Sequence, residues 1–231
     1  ITDLLDIVNA YREKGKLEFS DASKKDLKRV EEDIEFDYIL KEIDQLLRGM
    51  EEGAKRTVEI VKGLRLFSRV DEQDVKRVDI HDGINSTLIL LNSSMSGKIQ
   101  VYKEFGSIPI IECLPGKLNQ VFMNIITNAI HALLENLDKI PEPKITIRTF
   151  HIGEKISIEI EDNGFGMPAH VKQRIFEPFF TTKAVGKGTG LGLSIVYTII
   201  ENHKGTLEVS TEQGKGTNFI ITLPIYQNIQ Q

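Results

Sequence analysis

The 231-residue sequence predicts an α+β fold, in which a segment of long helices precedes a two-layer sandwich of strands and helices. Two observations predict it. Between about residues 34 and 70, apolar residues recur at steps of three and four without a proline, which is typical of one long amphipathic helix. After residue 70, short segments with strand alternation are interspersed with segments of helical spacing. We therefore expect two domains, a helical segment at 1–72 and a mixed domain at 73–226, joined near the charged run 71–74.

The bulk composition is that of an ordinary globular protein, with 40% hydrophobic and 27% charged residues. No run approaches the roughly 18 apolar residues that a membrane span needs. The formal charge of −5 gives no electrostatic case for binding nucleic acid. The single cysteine, Cys113, excludes an intramolecular disulfide and a Cys-rich zinc site, so a reducing, cytosolic compartment fits best. The sequence begins at Ile1 without a secretory leader, and we expect a fragment of a longer protein.

The long predicted helix carries a broad apolar face. One stripe advances at alternating steps of three and four and a second at steps of seven, and together they comprise Ile43, Leu46, Met50, Gly53, Thr57, Ile60, Leu64 and Phe67, with Leu40, Leu47, Ala54 and Val61. Such a face suits a helical bundle, and a helical piece at 1–12 offers a partner across the polar connection 13–26, which can carry some helix of its own. Two arrangements are open, a hairpin within one chain and a hairpin that pairs with a second copy into a four-helix bundle. The dimer is favoured, because two helices alone would leave much apolar surface exposed.

The mixed domain is expected to alternate between helices and strands. Helical spacing predicts helices at 84–91, 118–134 and 191–202. Gly205, just past the last of these, is a stop signal. Apolar–polar alternation predicts two hairpins, formed by 145–150 and 156–161 around Gly153, and by 206–210 and 217–223 around 213–216.

The predicted helix at 118–134 carries a row of amides. Gln120, Asn124 and Asn128 follow one another at steps of four and therefore share one face. Side-chain amide oxygens are suitable partners for a hydrated Mg²⁺ ion with phosphates. A merely solvated polar face is the alternative.

A carboxylate and two glycines follow the predicted strand 156–161. Asp162 stands at the strand end, with Gly164 and Gly166 two and four residues further on. A buried carboxylate needs a donor, and the exocyclic amine of adenine is one. Taken alone, this pattern is more often a plain turn.

Two further segments complete the pattern. Residues 176–183 (FEPFFTTK) form an aromatic cluster in a loop-like region, and residues 186–194 (GKGTGLGLS) open a helix. Glycines before a helix N-terminus let backbone N–H groups converge on phosphate oxygens. The spacing is neither that of a P-loop nor that of a dinucleotide fingerprint, and it favours a movable lid.

In this order and spacing, the four segments resemble the N, first glycine, F and second glycine boxes of the histidine kinases, relatives of the gyrase, mismatch-repair and heat-shock chaperone ATPases. The resemblance covers about residues 78–224, including a terminal hairpin around 214–219. It implies a two-layer α/β sandwich with a mixed sheet packed on helices, preceded by a dimeric four-helix bundle. ATP would lie between the helical layer and the lid.

The resemblance implies a role for each matching residue. Asn128 would coordinate Mg²⁺ with support from Asn124, and Asp162 would accept the adenine amine with Thr217 nearby through a water. His131 would reach phosphate, its alternative being a solvent-exposed helix residue, and Lys183 and Lys187 would assist. The implied nucleotide-binding set is Asn124, Asn128, His131, Asp162, Gly164, Gly166, Met167, Phe176, Thr181, Thr182, Lys183, Gly188, Thr189, Gly190, Leu191, Gly192, Leu193 and Thr217.

The family's acceptor histidine is missing from the helical segment. The five histidines are His81, His131, His151, His170 and His203, all after residue 70. We expect the acceptor upstream of Ile1; His81 is a poor substitute because it lies in a strand-like segment. The implied function is ATP-dependent phosphorylation of a histidine, followed by transfer to a response-regulator aspartate, in a homodimer joined by the long helices. This chain alone would not autophosphorylate, and any membrane contact would involve only upstream regions.

Two other functions are compatible with the same boxes. A gyrase-like ATPase would normally continue into a second domain, whereas this chain stops about seven residues after Pro224, and residues 176–180 favour the kinase. A nucleotide-binding dimerisation module without activity is the other alternative. Asn128, Asp162 and the lid glycines argue against it.

Overall fold

A computed structural model of the chain describes residues 13–14, 19–33, 35–67, 74–95, 97–183 and 189–227. The chain divides into two units, 1–59 and 60–231, so the division falls within the long helix. The predicted helix at 1–12 and most of the charged run 71–74 lie outside the described residues. The domain boundary near residue 72 stays a prediction.

The helical part contains α1 (Asp21–Asp33) and α2 (Phe36–Phe67). Ser20 begins α1, because its Oγ accepts from the Ser23 N–H at 3.3 Å. Glu35, at φ 50°, separates the two helices. The prediction of one long helix is confirmed by α2. The polar connection 13–26, expected to carry some helix of its own, is helical from Asp21 onward as part of the polar α1.

Helix α2 exposes apolar side chains in the single chain. Leu46 and Met50 are 64% and 70% exposed. Tyr38, Ile39 and Ile43 are exposed as well. None of the described helices combines the length and apolarity that crossing a bilayer requires.

The second unit is built on a five-stranded mixed sheet. Its strands are β2 (Gln100–Phe105), β4 (Lys144–Ile152), β5 (Lys155–Asp162), β6 (Thr206–Glu212) and β7 (Gly216–Pro224). Their order is β2-β4-β5-β7-β6, with β2 parallel to β4 and the other pairs antiparallel. A separate antiparallel pair joins β1 (Lys76–Val78) to β3 (Ile111–Cys113).

Helices cover one face of this sheet. They are α3 (Ile80–Leu91), α4 (Pro115–Leu134) and α6 (Gly192–Asn202), and a short α5 (Ala169–Lys172) precedes α6. Alternate residues of the central strands, such as Ile147 and Ile158, are fully buried in the common core. On the opposite face, Arg148 forms ion pairs with Glu104 and Glu161, both at 2.6 Å. The predicted two-layer α+β arrangement is confirmed.

His203 links the end of α6 to the start of α4. Its ring is 1% exposed, Nδ1 lies 2.7 Å from the Ile199 carbonyl, and Nε2 accepts from the Leu114 N–H at 3.0 Å. The carbonyl can only accept, so Nδ1 carries the proton of a neutral ring. Burial lowers the pKa of His203, which favours this neutral form. The end of α6 and the start of α4 are thereby held together.

The sequence analysis missed part of this unit. Strands β1, β2 and β3 were not predicted, and α3 begins at Ile80 rather than at residue 84. Asp79 caps α3 by accepting from the His81 N–H at 2.8 Å. His81 therefore lies in the first turn of a helix, and the strand-like interpretation is wrong. Its ring stacks on Phe105 at 4.3 Å.

Glycine just after the end of α6 usually adopts the left-handed conformation, but Gly205 has a different role. The left-handed residue is Lys204, at φ 55°. The Lys204 N–H bonds to the Glu201 carbonyl and the Gly205 N–H to the Ile200 carbonyl, the pattern of a Schellman cap. A Cβ at residue 205 would lie 2.5 Å from the Thr222 carbonyl oxygen of β7. Close packing against the sheet, rather than backbone conformation, requires glycine at this position.

This assignment predicts opposite outcomes at two neighbouring positions. We expect Gly205→Ala to lower the free energy of unfolding by about 1–3 kcal/mol, because a methyl group would press on backbone. Lys204→Gly should leave it unchanged or raise it by up to about 1 kcal/mol, because glycine tolerates the left-handed conformation. Urea unfolding of both variants checks this. A larger loss in Lys204→Gly than in Gly205→Ala would contradict it.

Candidate functional site

A cavity of about 860 Å³ lies beside α4, between the chain that follows β5 and the chain that precedes α6. Of the residues singled out in the sequence, it is lined by Asn124, Asn128, His131, Asp162, Gly166, Met167, Thr181, Thr182, Lys183, Thr189, Gly190, Gly192, Leu193 and Thr217. Gly164, Phe176 and Leu191 are not among the lining residues. Gly188 and Lys187 lie outside the described residues.

Asp162 lies at one end of the cavity, as the last residue of β5. It pairs in register with Thr217 of β7 and is only 4% exposed. Its Oδ1 accepts from the Gly164 N–H at 2.8 Å. Burial raises the pKa of Asp162 to about 6, although hydrogen bonds from the Gly164 and Thr217 backbones oppose the rise. The carboxylate is therefore ionised at neutral pH at the edge of an apolar core.

Gly164 serves this carboxylate from outside the cavity wall. A Cβ at residue 164 would lie 2.7 Å from Asp162 Oδ1 and 3.3 Å from the Cβ of Ala132. Any side chain there would push the carboxylate or α4 aside. The absence of a side chain lets the Gly164 N–H reach Asp162 while the strand end stays close to α4.

Asn128, His131 and Lys183 lie together at another part of the cavity. Lys183 Nζ is 2.7 Å from His131 Nδ1 and 3.3 Å from Asn128 Oδ1. An ammonium group only donates, so Nδ1 accepts and the neutral His131 ring carries its proton on Nε2. Burial and the charge of Lys183 lower the pKa of His131, with Glu135 opposing. His131 is thus half-buried and hydrogen-bonded, and the alternative of a solvent-exposed residue is wrong.

Asn124 faces the start of α6. A Cβ on Gly192 would lie 3.4 Å from Asn124 Oδ1, which is ordinary van der Waals contact. The amide row on α4 therefore borders both the cavity and the first turn of α6. Gln120, the first amide of the row, is not among the lining residues.

The aromatic segment 176–183 packs against α6 and against the chain that directly precedes it. Phe176 packs on Tyr197 of α6 with ring centroids 5.5 Å apart, and the Arg174 guanidinium lies 4.4 Å from the Phe180 ring. The backbone of Gly190 approaches the Phe179 carbonyl too closely for any side chain. Gly164 therefore contributes by supporting Asp162, which lines the cavity, whereas Phe176 packs on α6.

The sequence analysis missed several lining residues, among them Thr127, Ala132, Glu135, Phe165, Ile175, Phe180 and Phe219. Thr127 and Glu135 could have been found, because they continue the face of Asn124, Asn128 and His131 at steps of three and four. Phe165 and Phe219 carried no comparable signal, since their position depends on how β5 and β7 pair.

These groups fit a nucleotide better than a free metal ion. Within the described part of the chain, no group of three or more His, Cys, Asp or Glu side chains could hold a metal. The cavity instead offers a buried carboxylate, amide oxygens and an ammonium group, with a helix beginning at Gly192. A divalent cation would bind through Asn128 together with phosphates of a ligand.

Comparison with known proteins agrees with this site. Residues 113–227 match the family described as histidine kinase-, DNA gyrase B- and HSP90-like ATPase. The chain is 35% identical over 188 residues to the sensor kinase CckA of Brucella abortus, and 34% identical over 206 residues to sporulation kinase E of Bacillus subtilis. These matches cover 77% and 83% of this chain, but 20% and 27% of the relatives. The chain thus spans about a fifth to a quarter of their length.

A solved structure resembles it in fold as well. The catalytic domain of the histidine kinase ThkA matches with a TM-score of 0.58 and 28% identity, over 67% of this chain and 97% of that domain. The chain therefore belongs to the histidine kinase-, DNA gyrase B- and HSP90-like ATPase family and carries its ATP-binding domain. More particularly, this domain is the catalytic domain of a histidine kinase. The gyrase-like and inactive-module alternatives are not favoured, because these relatives are kinases.

The raised pKa of Asp162 predicts a pH-dependent stability. A folded-state pKa of about 6, above the ordinary 3.8, favours the fold while the carboxyl is protonated. That contribution is complete below pH 3.8 and is lost as the pH rises through about 6. The stability of Asp162→Asn relative to the unchanged chain should therefore grow by about 2 kcal/mol between pH 4.5 and 7.5. Denaturant unfolding across this range measures it.

The matched control is Asp138→Asn, because Asp138 is exposed. This variant controls for the removal of one carboxylate charge by the same substitution. A stability difference for Asp162→Asn that stays constant between pH 4.5 and 7.5 would contradict the assigned pKa.

Proposed function

We propose that this chain is the catalytic part of a two-component sensor histidine kinase. It binds Mg-ATP, transfers the γ-phosphoryl group to a histidine outside this sequence, and so supplies a response-regulator aspartate. One observation carries the proposal: a single cavity has the buried Asp162 carboxylate at one part and the Asn128, His131 and Lys183 group at another. The similarity to proteins named as sensor and sporulation kinases supports the same proposal.

Asp162 recognises the adenine base in this proposal. A carboxylate that borders a cavity and is ionised at neutral pH can accept from the exocyclic amine. Thr217 assists, through a water, from the paired position on β7. Met167 and Gly166 border the same space, so the base would lie against an apolar wall.

In this proposal, the triphosphate lies at the part of the cavity that is lined by Asn124 and Asn128. Asn128, supported by Asn124, would hold Mg²⁺, which neutralises phosphate charge when bound. The backbone N–H groups of Gly188, Gly190, Leu191 and Gly192 would donate to phosphate oxygens at the start of α6, where the helix dipole favours negative charge. Phosphoryl transfer depends mainly on such positioning and on charge neutralisation.

The partners follow from the same proposal. The exposed Leu46 and Met50 on α2 support a homodimer joined by the long helices, because a second copy would cover them. A receiver domain of a response regulator would take the phosphoryl group, and a cytoplasmic location would supply ATP. No role for nucleic acid is proposed, since the net charge is −5.

Removing the adenine acceptor should weaken nucleotide binding. We expect Asp162→Asn to lose about 10- to 100-fold in ATP affinity, because a charge-assisted hydrogen bond disappears. Isothermal titration calorimetry measures it, with Asp138→Asn as the control of equal charge change. An unchanged ATP affinity in Asp162→Asn would dispose of the adenine contact.

The chain should bind ATP without phosphorylating itself. Its five histidines all follow residue 70, and none stands in the helical segment that would carry the acceptor. After incubation with labelled Mg-ATP, we expect no acid-labile, alkali-stable phosphate on the protein, while calorimetry on the same sample gives a normal binding signal. Stable phosphohistidine on this chain would overturn the expectation.

A further inference from the structure

Lys183 occupies the side-chain oxygen that the proposed function assigns to the metal. Its Nζ lies 3.3 Å from Asn128 Oδ1 and 2.7 Å from His131 Nδ1. We propose that Lys183 is a resident cation, which substitutes for Mg²⁺ at Asn128 when the metal is absent and gives up this contact when the metal arrives. This inference rests on the proposed nucleotide site and concerns how that site responds to metal.

The geometry provides a fixed place for the ammonium group. Asn128 and His131 are three residues apart on α4 and therefore present both acceptors on one face. Lys183 reaches them from a different part of the chain, directly before residues 184–188, which lie outside the described part of the chain. Among the described residues, two acceptors take two of its three N–H groups, and the third can serve a phosphate oxygen.

Glu135 completes the local charge balance. It is the C-cap residue of α4, one turn beyond His131, and its negative charge supports the ammonium of Lys183 against desolvation. The carboxylate is exposed, whereas Lys183 is half-buried. The contacts that hold the ammonium group are therefore those with Asn128 and His131 of α4.

A metal ion and an ammonium group compete for the same neutral oxygen. The amide of Asn128 attracts either cation, but a dication and an ammonium on one oxygen repel each other. The repulsion is relieved when the ammonium group moves off the amide oxygen and phosphate oxygens stand between the two cations. Lys183 would therefore leave Asn128 when Mg-ATP binds, while His131 or a phosphate oxygen keeps its remaining bonds.

This competition has a measurable consequence through linkage. If Lys183 substitutes for the metal, the affinity for ATP without Mg²⁺ depends on the charge of Lys183. The affinity for Mg-ATP depends on that charge much less. Mg²⁺ should then increase ATP affinity more in a chain that lacks the lysine charge than in the unchanged chain. Such a coupling between two cations is a property of the pair and not of either alone.

The test is calorimetric titration with ATP, in EDTA and in Mg²⁺, of the unchanged chain, Lys183→Gln and Lys183→Arg. We expect Lys183→Gln to lose about tenfold or more in metal-free ATP affinity and less than about threefold in Mg-ATP affinity. Lys183→Arg keeps the charge and should recover most of the metal-free binding. Lys172→Gln is the matched control, because it removes the same charge from an exposed position.

Each outcome decides the question. Equal losses with and without Mg²⁺ would make Lys183 a plain phosphate contact and overturn the proposal, as would no loss in either condition. Adenosine has no phosphates, so its affinity should be the same in Lys183→Gln and in the unchanged chain, which excludes a misfolded site. Failure of the unchanged chain to bind ATP at all would refute the proposed function instead.

Discussion

The placement of the site depends on how α4 is held. One side of this helix is packed into the core, with Leu118, Val121, Phe122, Ile125, Ile126, Ile130 and Leu133 all at most 1% exposed. The other side carries Asn124, Asn128 and His131. Because a helix is rigid over about two turns, fixing the apolar side also fixes the spacing of the amide row and the imidazole. The neutral His203 ring adds a direct tie between the start of α4 and the end of α6.

Strand register supplies the second half of the arrangement. Asp162 and Thr217 are paired residues on β5 and β7. The pairing alone brings the carboxylate and the hydroxyl to the same end of these two strands. A slip of one residue would turn Asp162 toward the outer face, where Arg148 and its carboxylates lie. The buried isoleucines of β5 exclude that slip, since it would expose Ile156, Ile158 and Ile160 together.

Much of this could be predicted because the signals are local. The amide row needs only helical spacing, and Asp162 needs only a strand followed by glycines. The parallel pairing of β2 with β4 could not be predicted, since Gln100–Phe105 is mostly exposed and its partner is more than forty residues away. The contact of Lys183 with His131 joins residues 52 positions apart and has no sequence signature. The roles of the individual site residues in binding remain predictions.

The contact of Gly190 with Phe179 bears on how this region can change in evolution. It brings the chain on the two sides of residues 184–188 together independently of what those residues are. The entropy lost in joining two fixed points of a chain grows slowly with the number of residues between them, by about 0.6 kcal/mol for each doubling. Insertions and deletions at 184–188 should therefore be nearly neutral for folding. Selection on this stretch therefore acts through nucleotide binding rather than through folding, whereas Gly190 itself is constrained by packing.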